Sequence, residues 1–243
     1  MKKLFFFTMI AVFCVPFVLS AGEAPSRGNS TCKSSSKVSV GVLHKKRSCF
    51  SLVSAFEFGF NELLSTDYGM YPLEDHGFLD LNNGKSIHFA LYLVEARFPI
   101  NRKRTFGIST GLGLAWDDYV FDGDLTLAKE NGIVVPVPID SKYKKSKLST
   151  FSLQVPVVLG VELKEFTISG GVYGNLIVSQ HTKYKKPKHK EEGLSYASML
   201  QGGLTARIGF KGLSVFANYA LTDLFKHDKG PGAQPLTVGI GLW

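Results

Sequence analysis

The amino-acid sequence predicts an all-β fold, an eight-stranded antiparallel up-and-down transmembrane β-barrel. Three observations carry that expectation. In the closing stretch PLTVGIGLW, from Pro235 to Trp243, Leu236, Val238, Ile240 and Leu242 alternate with Thr237, Gly239 and Gly241, a period of two that reads as a strand. Its other face is Gly and Thr where a soluble sheet would carry Lys and Glu, which suits a wall between lipid and a cramped interior. Seven further stretches upstream repeat this pattern, and the connections between them alternate long and short.

The 243 residues suffice for one large domain, and a 44% hydrophobic content is ordinary for a globular chain. Periodicity therefore has to decide. Residues 1–22 read as a secretory signal: Lys2 and Lys3 precede the apolar run LFFFTMIAVFCVPFVL, and Ser20, Ala21 and Gly22 supply small residues for cleavage. An uncleaved anchor helix is the poorer reading, given Pro16 and that small-residue end. Cys14 lies in the apolar run, outside the small-residue context of a lipoprotein cleavage site. After the signal no apolar run approaches the roughly 18 residues of a membrane helix. An exported chain of this kind is either soluble beyond the inner membrane or a barrel in an outer one.

Residues 23–49 read as a periplasmic leader. VSVGVL, from Val38 to Leu43, could add a short strand to it. Cys32 and Cys49 are a candidate disulfide, contributing about 3 kcal/mol for a loop of this size in the chain-entropy model. His44 stands alone nearby, so zinc spacing is missing.

The barrel is expected over residues 50–243. Phe50 to Asn61 sets Leu52, Phe56, Phe58 and Phe60 against Ala55, Glu57, Gly59 and Asn61. Ser86 to Pro99 is less regular: either a bulge shifts its register, or Tyr92, Val94, Ala96 and Phe98 face lipid throughout. The second is preferred because it sends Glu95 and Arg97 inward. Thr105 to Phe121 sets Phe106, Ile108, Leu112, Leu114 and Trp116 against Gly107, Ser109, Gly111, Gly113 and Asp117. Ser149 to Leu163 alternates most cleanly, with Ser152, Gln154, Pro156, Gly160 and Glu162 inward. Phe166 to Val178, Leu194 to Phe210, Leu213 to Phe225 and the closing stretch complete the eight.

Short connections follow the second, fourth and sixth strands, at Ile100 to Lys103, Lys164-Glu165 and Lys211-Gly212. Long ones span Glu62 to Lys85, Asp122 to Leu148, Ser179 to Gly193 and Lys226 to Gln234. This is the alternation of an outer-membrane barrel, with short periplasmic turns and long outer loops. The soluble rival, a lipocalin-like barrel, has the same connectivity but a greasy interior and a charged exterior. The stretches LQVPVVLGVEL (Leu153 to Leu163), NYALTDLF (Asn218 to Phe225) and GPGAQPLTVGIGLW resemble the PorT-like, or porin-family, outer-membrane barrels. The resemblance implies a small barrel of the bacterial outer membrane, assembled by the barrel-assembly machinery through its C-terminal strand. Some members assist secretion, and the family brings no catalytic residues. Trp243 departs from its pattern by standing out of phase with Leu242, and Pro156 calls for a bulge.

Gly107 to Gly111 matches GxSxG, but Ser109 lies within a strand, and His88 is the single strand histidine. No metal-ligand, phosphate-loop or dinucleotide signature appears, so neither an enzyme nor a cofactor is expected. The inward charges Glu57, Glu95, Arg97, Glu162 and Arg207 form either a salt-bridged plug or a selectivity constriction, and the plug fits an interior that side chains fill. Lysines crowd two long loops: Lys142, Lys144, Lys145 and Lys147 in the second, Lys183, Lys185, Lys186, Lys188 and Lys190 in the third. On the cell exterior they suit lipopolysaccharide or an acidic extracellular polymer better than nucleic acid; solvated loops are the bland alternative. His181 and His189 stand too far apart for a helix-borne metal pair, and a loose surface metal site has no further support in the sequence. The expectation is a structural or surface-binding protein of the outer membrane with no open pore. A narrow porin-like channel and a secretion accessory are the alternatives.

Overall fold

The computed structural model describes residues 50–101, 103, 105–123, 125–138, 146–184, 189–192 and 197–242. The expected signal, leader, Cys32, Cys49 and Trp243 lie outside them. Eight long strands form a ring: β1 (Phe50–Asp67), β2 (Ile87–Pro99), β3 (Phe106–Val120), β6 (Ser146–Leu163), β7 (Phe166–Tyr184), β9 (Leu200–Phe210), β10 (Leu213–Ala220) and β11 (Gly232–Leu242). Between them in sequence lie the short hairpin β4 (Leu125–Glu130) and β5 (Ile133–Pro138), and β8 (His189–Glu192), which pairs with the end of β7. The ring order is β6-β3-β2-β1-β11-β10-β9-β7, and β6 pairs back onto β7. All ring pairs are antiparallel, and each ring strand has two neighbours, so the closed sheet leaves no edge among them.

Side chains alternate as the period of two demands. Phe56, Phe58 and Phe60 project outward at 40–48% exposure, whereas Glu57 and Asn61, which alternate with them, are buried. On β6, Val155, Val157 and Leu159 are exposed while Gln154 and Val158 are buried. Apolar residues outside and polar ones inside is the reverse of a lipocalin.

Three expectations need correction. On β2, Ile87 and Phe89 point outward, but Tyr92 is buried rather than lipid-facing. Its pairing with β3 slips between Tyr92 and Val94, Tyr92 facing Gly113 and Val94 facing the exposed Leu112. The extra residue, Leu93, reverses the phase, so Phe98 ends outward and Arg97 inward. Thus the bulge alternative holds, and it still turns Arg97 inward. At Pro156 no register shift occurs: it stays paired with Tyr173 of β7. Its missing donor falls where the β3–β6 ladder shows no pairs between Thr110–Val157 and Gly113–Gln154. The sixth and seventh strands are also shorter than expected, starting at Leu200 and stopping at Ala220.

Tight turns close one end. Leu163 pairs with Phe166 across Lys164-Glu165, and Phe210 with Leu213 across Lys211-Gly212. Lys211 and Gly212 both have positive φ, the twist that a two-residue hairpin requires. At the other end the long connections fold over the mouth. Phe78, Leu79, Leu127, Val134, Phe225 and Ala233 pack with the inward Tyr119, Leu148 and Ile177 as a buried apolar cluster. The Tyr71 hydroxyl donates to the Val134 carbonyl at 2.6 Å, and Val134 N–H donates to the Lys229 carbonyl at 2.8 Å. These bonds stitch three separate connections into one cap.

Candidate functional site: the lumen network and the basic rim

Glu57 and Arg207, 150 residues apart in sequence, meet in the middle of the barrel. Arg207 Nε and Nη2 lie 3.0 and 2.9 Å from Glu57 Oε1, and Nη2 also donates to the Tyr92 hydroxyl at 3.0 Å. That hydroxyl has one proton, which it can give to Glu57 Oε2 at 3.1 Å or to Gln154 Oε1 at 3.0 Å. The guanidinium also stands 5.6 Å from the Tyr92 ring centroid. Gly113 makes the room: a Cβ there would fall 2.9 Å from the Tyr92 ring, so the paired glycine lets the tyrosine lie across the wall.

A second chain of bonds joins the first. His88 Nδ1 donates to Asp117 Oδ1 at 2.7 Å, and its Nε2 lies 3.9 Å from Glu57 Oε2. Asn61 donates to Asp117 at 3.1 Å and accepts from the Thr237 hydroxyl at 2.7 Å. β1, β2, β3, β6, β9 and β11 all contribute. Glu57, Tyr92, Gln154 and Asn61 are each no more than 1% exposed, so these charges are solvated by one another rather than by water.

The five charges expected in one lumen network divide. Glu57 and Arg207 anchor the centre. Arg97 pairs with Glu162 nearer the short-turn end, where both side chains are less than a fifth exposed. Glu95, half-buried on β2, joins neither pair by a hydrogen bond. Sequence reasoning read Asn61, Asp117 and Gln154 as inward without linking them to the charges, and it turned Tyr92 outward. Inward polar residues on neighbouring strands were the available signal. Ser109 and His88 do not meet: Ser109 pairs with Arg97 and His88 with Asp117, eight residues further along β3, roughly 26 Å of strand. Among the described residues no group of three or more His, Cys, Asp or Glu is set to hold a metal.

Of the rim lysines, Lys147 and Lys183 are described with their side chains. Lys190 lies on β8, but its side chain lies outside the described residues, as do Lys142, Lys144, Lys145, Lys185, Lys186 and Lys188. Lys147 and Lys183 face each other across β6 and β7. Lys147 is ion-paired with Asp118, which also accepts from the Ser149 hydroxyl. These groups, with His181, Trp116 and Phe151, border a cleft of about 310 Å³ on the outer wall.

No family model and no curated protein matches this chain. Among solved structures it is similar to Ail, the attachment invasion locus protein of Yersinia pestis, at 13% identity and a TM-score of 0.34, over 77% of this chain and 94% of that one. So loose a likeness says nothing of what this chain binds.

Proposed function

We propose that this chain is a small integral barrel of a bacterial outer membrane, reached by signal-peptide export, with a structural or surface-binding role and an interior closed to ions. The observation that carries the reading is the continuous apolar outer wall. From Phe151 to Leu163, β6 turns Leu153, Val155, Val157, Leu159 and Val161 outward. Those twelve steps make roughly 40 Å of strand, or about 30 Å of height at a tilt of about 40°, which matches a hydrocarbon core of about 30 Å. Aromatic rings flank it: Phe89, Trp116 and Phe151 in contact near the long-loop end, Phe166 and Phe210 at 4.8 Å near the short turns.

What fills the interior supports a closed one. Apolar packing occupies the long-loop end, the Glu57–Arg207 network the middle, and the Arg97–Glu162 pair lies nearer the short turns. The rim lysines support binding to an anionic surface. Planar-bilayer recording tests the reading: purified, refolded protein should give no stable conductance steps. Reproducible openings altered by Arg207→Ala would replace it with a narrow channel.

A further inference from the structure

We propose that the outer wall of β3, β6 and β7 carries a site for the phosphate headgroup of a membrane lipid. The proposal rests on the outer-membrane reading and goes beyond it: it names the ligand class and sets it in the membrane plane, not above it.

Register is the first argument. Three rows of residues cross the three strands on their outward face. Trp116, Phe151 and Ser179 form the first, Asp118, Ser149 and His181 the second, and Lys147 and Lys183 the third, with the buried Val120 at its β3 end. Below the first row the wall is apolar, with Leu114, Leu153 and Leu176 side by side. The wall therefore passes from aliphatic to aromatic to polar to cationic within three strand steps. Lipid has the same order, from acyl chain through interface to headgroup.

Charge is the second argument. Lys147 and Lys183 are direct cross-strand partners, and like charges so placed oppose one another. A phosphate between them is attracted by both ammonium groups. Asp118, the carboxylate in the cleft, is ion-paired with Lys147 and takes the Ser149 hydroxyl, so it holds the ammonium at the cleft wall. Among the described residues that border the cleft, Lys147 and Lys183 outnumber the one carboxylate, Asp118. Lys147 keeps a quarter of its side chain exposed, enough to reach a ligand without leaving Asp118. Trp116 and Phe151, whose rings are 4.9 Å apart, supply an apolar floor for the glycerol or sugar end of a lipid.

Trp116 also reports on the site. The sequence has two tryptophans, so Trp243→Phe leaves one fluorophore, at the cleft floor. That variant is refolded into phosphatidylcholine vesicles with brominated acyl chains on either the phosphatidylcholine or an added phosphatidic acid. Quenching by brominated phosphatidylcholine checks that the wall meets lipid; its absence would mean that the membrane reading itself is wrong. Given that quenching, brominated phosphatidic acid should be preferred by roughly tenfold, the order expected of two partly screened lysines. Lys147→Gln with Lys183→Gln should bring the preference close to unity. Lys147→Arg with Lys183→Arg should keep it, and so should Lys211→Gln at the opposite end. A heat-modifiable gel shift confirms that each variant is folded. Equal quenching by the two lipids, or a preference that survives the double Gln substitution, overturns the site. Loss of the preference on adding an equal concentration of inorganic phosphate overturns the lipid assignment in favour of a soluble anion.

Discussion

Two buried regions of one barrel are held together by opposite means. At its middle the interior is polar, and Glu57, Arg207, Tyr92, His88 and Asp117 are joined to one another by hydrogen bonds and ion pairs. At the long-loop end it is apolar, with Phe78, Leu79, Leu127 and Val134 packed over Tyr119 and Leu148. The difference follows from what surrounds each. The middle is a narrow tube whose walls already spend their apolar residues outward, so inward positions carry polar groups that must find partners across the lumen. The cap is made of connections with water on one side, and it has to build a core of its own. Breaking the first should therefore disturb the whole barrel, and breaking the second only the cap.

The largest effect is expected at Arg207. Arg207→Ala leaves Glu57 buried without its partner and should cost about 3–5 kcal/mol, whereas Glu57→Leu combined with Arg207→Met should cost far less. Urea unfolding in lipid vesicles measures both. A double variant as unstable as the single one would make the network a matter of shape rather than of charge.

Next comes the cap. Leu127, 1% exposed on the β4–β5 hairpin, leaves a cavity on Leu127→Ala that should cost about 2–3 kcal/mol locally. Trypsin cleavage at Lys129, Lys226 and Lys229 should accelerate while the heat-modifiable shift of the barrel is unchanged. Simultaneous loss of that shift would show that cap and barrel fold as one unit.

The smallest effect is a titration. Burial, with Asp75 nearby, pushes the Tyr71 hydroxyl up to about 12. Its folded pKa thus lies above the ordinary 10, so its contribution to the cap is complete below pH 10 and is lost as pH rises through about 12. The difference between wild-type and Tyr71→Phe absorbance titrations at the phenolate band should show one tyrosine ionising near pH 12. A difference transition near 10 would place Tyr71 in open water.

The ring itself was legible in the sequence because a strand with unlike faces writes its phase into every second residue. β6 shows this best, from Phe151 to Leu163. The phase of β2 was legible only as two alternatives, since the residue that the bulge adds, Leu93, carries no mark in composition. The Glu57–Arg207 contact depends on β11 and β10 lying between β1 and β9, a neighbour order that only closure fixes. The cap escaped for a different reason. Tyr71, Phe78 and Val134 come from connections without periodicity, so their apolar character had no face to be assigned to.

The central claim is that the even-numbered residues of β6 face the lumen at Gln154 and Val158 while the odd ones face lipid. In a cysteine-free background, nitroxide labels at positions 154, 155, 157, 158 and 159 report collision with oxygen, which dissolves in lipid, and with a water-soluble nickel chelate. The account predicts high oxygen contact at 155, 157 and 159, with little contact with either reagent at 154 and 158. High oxygen contact at 154 and 158, with 155, 157 and 159 open to the nickel chelate, would contradict it.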